Sequence, residues 1–167
     1  GTFKVITNSR FTESLYALRV NGADPFAVNR VVLITTAEGK KSAELSLLKG
    51  EAHFHRFCRD YSLTDIRFDA SDIRVITSPD GISLTDIRSP RENEQAADFI
   101  TEQLRELTSD PETALHVSLA GGRKTMGFYM GYALSLYGRP QDRLSHVLVS
   151  ERYESLPDFF YPNRQTR

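Results

Sequence analysis

"ALHVSLAGGRKTMGFYMGYALSLYG", residues Ala114 to Gly138, places a buried strand, a glycine turn and an apolar helix in immediate succession. "ALHVSLA" is a nearly continuous apolar run, the pattern of a strand covered on both faces. Gly121 and Gly122 break it, the cations Arg123 and Lys124 follow side by side, and Met126 to Tyr137 is apolar all round. A strand that feeds a helix through a short turn is half of a β-α-β crossover.

Outward from this stretch the same alternation repeats. "FKVIT" (Phe3–Thr7) is a short β-branched strand. In "TESLYALRV", Thr12 is placed to cap a helix with Leu15, Tyr16 and Leu18 as its apolar face, and Asn21-Gly22 ends it. "RVVLITT" (Arg30–Thr36) reads as a second buried strand. A helix is predicted from Lys40 to about Tyr61, with Leu45, Leu48, Ala52 and Phe57 inward and Gly50 as a point of interruption. "IRVIT" (Ile73–Thr77) and "ISLTDI" (Ile82–Ile87) flank a Ser-Pro-Asp-Gly turn and are expected as a strand and an edge hairpin. Ser89-Pro90 opens a long helix, "RENEQAADFITEQLRELT", with acids in its first turn to suit the helix dipole. "LSHVLVS" (Leu144–Ser150) is the last strand. Together these predict an α/β fold: a Rossmann-like, doubly wound, mainly parallel sheet with helices on both faces, formed by one domain spanning residues 1–167. The tail "DFFYPNRQTR" turns polar, yet its aromatic cluster Phe159-Phe160-Tyr161 needs a surface to pack on.

Composition bounds the partners. With 40% hydrophobic and 26% charged residues, the chain is long enough to bury a core without disulfides. A net charge of −1 speaks against a surface coated for double-stranded DNA, while leaving room for a local basic site. One cysteine, Cys58, and no segment resembling a signal peptide lead to the expectation of a reducing cytoplasmic compartment. No apolar run approaches the roughly 20 residues that span a bilayer, so no membrane partner is expected.

In open parallel sheets, ligands bind beyond the carboxyl ends of the strands. Two such loops are unusual here: Thr7, Asn8, Ser9 and Arg10 after the first strand, and Gly121, Gly122, Arg123, Lys124 and Thr125 after "ALHVSLA". No Asp or Glu occurs from Gly1 to Thr12, nor from Thr113 to Gln141. Where both reach one edge they create a positive rim rich in donors: glycines admit an anion to the backbone, helix N–H groups point at it, and Arg and Lys neutralise it. The same pentapeptide also fits a plain strand–helix connection, and the residues alone leave both readings open. A triphosphate-binding loop is excluded, because that motif needs Gly before its Lys, and here Arg123 precedes Lys124. Nor does a G-x-G-x-x-G follow any strand, which weakens a dinucleotide-binding reading.

Gly127, Gly131 and Ser135 recur every four residues and line one helical stripe. Part of this helix belongs against its own sheet, but one sheet face does not hide a helix apolar all round, and a subunit interface is expected for the remainder. His53, His55 and Cys58 sit at spacings that place them on different helix faces without a fourth ligand, so no metal is expected. His116 and His146 fall within strands and are expected to hydrogen-bond in or near the core. Cys58 lacks the surroundings of a nucleophile, and Asp86 and Arg88 are placed to line a loop near the site.

"TESLYALRV", "DIRSPRENEQAADFI" and above all "LHVSLAGGRKTMGFYMGYALSLYGRPQDRLSHVLVS" through "DFFYP" resemble the CRISPR-associated ring nucleases built on CARF domains. The resemblance covers Thr12 to Pro162, and it implies a Rossmann-like homodimer that binds cyclic oligoadenylate, with cyclic tetra-adenylate the ring expected here. Some members cleave the ring and others only sense it for an effector nuclease; relatives can also continue past "DFFYP" into a further domain. The loops matching Thr7 to Arg10 and Gly121 to Thr125 contact the ligand in such proteins, although relatives carry a longer first loop than "TNSRF". The resemblance implies a metal-independent reaction without a cofactor, driven by the RNA 2′-hydroxyl. Lys124, Arg123 and Ser9 are the expected catalytic residues, and Thr7, Asn8, Arg10, Gly121, Gly122 and Thr125 the expected ligand contacts.

Overall fold

The computed structural model describes residues 2–8, 11–20, 27–50, 52–119 and 124–145. Among the described residues five strands form one sheet: β1 (Thr2–Thr7), β2 (Arg30–Thr35), β3 (Ile73–Val75), β4 (Thr113–Ser118) and β5 (Arg143–Ser145). Their order is β3-β2-β1-β4-β5, and every neighbouring pair is parallel. The fold is α/β and Rossmann-like. β2 and β4 are buried on both faces because helices cover both: Val31 to Thr35 and all six residues of β4 are buried.

On one face, Val5, Val31, Leu33 and Ile73 pack under α1 (Thr12–Leu15) and α3 (His53–Asp60) through Leu15, Phe54 and Phe57. On the other, Ile6, Val32, Ile34, Leu115 and Val117 pack under α4 (Pro90–Thr108) and α5 (Lys124–Tyr137) through Ile100, Leu104, Met126 and Met130. The chain therefore winds β1-β2-β3 along one face, passes back over the sheet by α4, and winds β4-β5 along the other.

α4 begins where the sequence predicts it: Ser89 caps it by accepting from the Glu92 N–H at 3.1 Å, and Pro90 occupies the first turn, where its missing donor costs nothing. Its buried residues Ala96, Ile100, Leu104 and Leu107 follow helical spacing. Thr12, expected as a cap, is instead the first residue of α1. Asn21-Gly22 lies outside the described residues.

The helix predicted from Lys40 to Tyr61 is corrected. α2 (Ala37–Ala43) widens into a π-helical turn (Glu44–Leu48), closed by Lys49 N–H to Glu44 O at 2.8 Å. The extra residue in that turn rotates the apolar face, so Leu47 is buried and Leu45, expected inward, is 65% exposed. Gly50 then takes φ +56°, the left-handed conformation that glycine tolerates, and α3 starts afresh at His53. The expected edge hairpin is reduced to one antiparallel bridge, Thr77–Ser83, beyond the parallel strand β3. Among the described residues no helix is long and apolar enough to cross a membrane.

Candidate functional site

The strand order creates one crevice of particular chemistry. β1 and β4 are neighbours, in register from Thr2 with Thr113 to Ile6 with Val117, so Thr7 ends β1 beside Ser118 at the end of β4. The crossovers leaving these two strands run over opposite faces of the sheet, which makes the gap between their carboxyl ends the topological switch point. Both loops singled out in the sequence leave from that gap. The two acid-free stretches of sequence, residues 1–12 and 113–141, thereby run through neighbouring strands that end side by side.

Thr7 is wholly buried, and its hydroxyl has no hydrogen-bond partner among the described residues. Asn8 is also buried. Three residues on, Phe11 is locked between Phe54 and Phe68, with ring centroids 5.8 and 4.6 Å away in edge-on geometry. The short first loop is thus fixed at both ends. Opposite it, Lys124 is the first residue of α5, Thr125 is exposed, and Met126 turns into the core. Ser9, Arg10, Gly121, Gly122 and Arg123 lie outside the described residues, as does the Lys124 side chain.

Two other helix starts at this edge are occupied by the chain itself. Ala37 and Glu38 N–H groups of α2 donate to Leu84 O and Thr85 O at 2.8 and 3.2 Å, and Gly39 N–H donates to Thr36 Oγ1 at 3.1 Å. Ser89 and Glu92 cap α4, with Arg88 N–H donating to Glu92 Oε1 at 2.9 Å. Asp86 and Arg88 pair at 3.1 Å beside Glu38, over β2 and α2 rather than over the β1–β4 gap.

A family model for CRISPR-associated protein NE0113 matches residues 9–167. The chain belongs to this CRISPR-associated family. No curated protein matches it.

Beneath the crevice of this CRISPR-associated protein lies a buried polar layer that sequence reasoning did not assign to the site. His116 and Ser118 lie on the same face as Thr7, and the His116 imidazole contacts Ser145 Oγ of β5. Hydroxyl residues at the ends of adjacent strands, Thr7, Ser118 and Ser145, were the available signal. His116 hydrogen-bonds within the core as expected, and His146 lies outside the described residues.

α5 of the CRISPR-associated protein buries Met126, Met130, Ala133 and Leu134. Its small-residue stripe meets the sheet at one end: a Cβ on Gly127 would lie 3.7 Å from Leu119 Cδ2, whereas one on Gly131 would meet nothing within 4 Å, and Ser135 is exposed. Phe128 and Tyr132, 68% and 55% exposed, stack with centroids 6.3 Å apart, and Leu136 extends the face. No charged residue lies between Thr125 and Gly138. Burial pushes the Cys58 thiol up to about 11, which keeps it protonated. Among the described residues no three His, Cys, Asp or Glu side chains gather as metal ligands.

Proposed function

We propose that this CRISPR-associated protein binds cyclic tetra-adenylate between two copies of its β1–β4 crevice and cleaves the ring without metal, silencing the signal the ring carries. The observation that supports the reading is the strand order, which ends β1 and β4 side by side at one switch point, where the two acid-free, donor-rich sequences begin. The unpartnered Thr7 hydroxyl at its floor and membership of a CRISPR-associated family support it. The uncharged aromatic face of α5 starts one turn from Lys124 and suits pairing with a second copy. A two-fold pair of rims matches a ring that itself has two-fold symmetry.

In the proposed reaction the ring's 2′-oxygen attacks the adjacent phosphorus, and the bond to the 5′-oxygen breaks. The proton lost by the 2′-hydroxyl is made good on the departing 5′-oxygen. The products carry a 2′,3′-cyclic phosphate and a 5′-hydroxyl. Lys124 and Arg123 neutralise charge developing on the phosphoryl oxygens, the Gly121-Gly122 backbone cradles them, and Ser9, Asn8 and Thr125 hold the scissile link in line. Thr7 and Arg10 complete the grip on the ring.

The test is incubation with labelled cyclic tetra-adenylate in excess EDTA. Cleavage that Lys124→Ala abolishes supports the reading. Retention of the uncut ring would replace it with a sensor that signals to an effector nuclease, and absence of binding at low salt would end both.

A further inference from the structure

Beside α5 the cover of helices stops short of the sheet edge. Met126, Met130 and Ala133 face the sheet. The right-handed crossover that β-α-β units adopt turns Tyr129 toward α4 and the Gly127-Gly131-Ser135 stripe toward β5. The contacts agree: Tyr129 and Phe99 of α4 pack against the same core, and the Gly127 position lies beside Leu119, just past β4. On β5, Leu144 is the register partner of Val117 and so projects to the α5 side, where Val117 is wholly buried. Leu144 itself is 52% exposed.

Leu119, Gly127, Gly131 and Leu144 thus border an apolar slot between the helix and the edge strand. With open space at Gly131 and no side chain there, a flat ring can approach the helix backbone. The path of the chain indicates the occupant. Leu119 N–H donates to Ser145 O at 2.9 Å, so residue 146 sets out from the end of the sheet at which α5 begins. Residues 146–158 then lead to the Phe159-Phe160-Tyr161 cluster, which lies outside the described residues. That connection reaches about 43 Å when extended, about twice the length of α5. The cluster carries no charge, as α5 carries none from Thr125 to Gly138, and each ring has roughly 150–250 Å² to bury. A second copy fits the slot less well, because the stacked Phe128 and Tyr132 that suit pairing lie round the helix from it.

We propose that the Phe159-Phe160-Tyr161 cluster of the same chain docks in this slot, covering Leu144 and bracing α5 from the side opposite α4. The contact is apolar and internal to one copy. It leaves Phe128 and Tyr132 open for pairing and does not depend on the function proposed for the crevice.

The test is limited chymotrypsin digestion of the full chain without oligoadenylate, read by mass spectrometry at the Phe159–Phe160 and Phe160–Tyr161 bonds. In wild type both bonds are expected to resist cleavage and to be cut once urea unfolds the chain. Gly131→Trp fills the slot where the helix has room for a side chain, and it is expected to speed both cleavages about tenfold with the circular dichroism spectrum unchanged. Phe160→Ser supplies a second measurement: it is expected to lower the melting temperature in wild type but not in the Gly131→Trp background, where the ring has already been displaced. Wild-type bonds cut as fast as in urea, or cleavage that Gly131→Trp leaves unchanged, overturns the proposal. A Gly131→Trp protein that turns from dimer to monomer in sedimentation with its tail still protected also overturns it, and assigns the slot to a second copy.

Discussion

Replacing Asp142 tests how the edge strand β5 is held. Its carboxylate is 1% exposed and accepts four hydrogen bonds: Leu115 N–H at 3.0 Å, Arg139 N–H at 2.9 Å, and Arg139 Nε and Nη2 at 3.0 and 3.1 Å. Arg139 in turn donates to Thr113 O at 2.6 Å and to Asp110 O, so one ion pair ties the α5–β5 turn to the start of β4. Asp142→Ala strands a largely buried guanidinium and two backbone donors, at a cost of about 3–5 kcal/mol. With a urea slope of about 2 kcal/mol per molar, the unfolding midpoint should fall by roughly 1.5–2.5 M. Circular dichroism follows the transition, since the chain has no Trp. The pH dependence has a definite sign. Burial is the largest influence on the Asp142 carboxyl and opposes its ionisation, but the hydrogen bonds from Arg139 and Leu115 and the Arg139 charge together hold its pKa below 3.8. The proton-linked part of the stabilisation is therefore present above pH 3.8 and is lost as pH falls through the lowered folded value, so the gap between wild type and Asp142→Ala should narrow in strong acid. A gap under about 1 kcal/mol at pH 7, or one unchanged at about pH 2.5, refutes the reasoning.

Cys58, with its thiol pushed up to about 11, should resist iodoacetamide at pH 8 in the folded protein and react once urea exposes it; equal rates would show the burial argument to be wrong. Ser89→Ala removes the acceptor for Glu92 N–H and should lower stability by about 1 kcal/mol, measured by urea titration. Tyr132→Asp puts charge on the exposed α5 face; if the proposed pairing holds, sedimentation should show a dimer for wild type and a monomer for the variant. Melting temperature should stay within a degree or two, because the side chain is 55% exposed.

The first strand, β2, β4 and α4 were legible in the sequence because each carries its own burial pattern: continuous apolar runs for covered strands, and Ser89-Pro90 followed by four-residue spacing for the helix. The acid-free loops and the apolar α5 were likewise visible residue by residue. Periodicity misled between Lys40 and Tyr61, where a π-turn adds a residue and exchanges Leu45 for Leu47 without any local signature.

Local pattern records whether a residue is buried, not what it is buried against. That β1 lies beside β4, so that Thr7 and the start of α5 share one crevice, follows from which helix covers which face of the finished sheet. The pairing of Lys4 with Arg30, and of Arg30 with Arg67, likewise exists only through register, since the three are far apart along the chain. Composition and spacing determined the elements and the chemistry each one carries. Strand order and register, properties of pairs of distant segments settled by packing the whole chain, decided which of those chemistries meet.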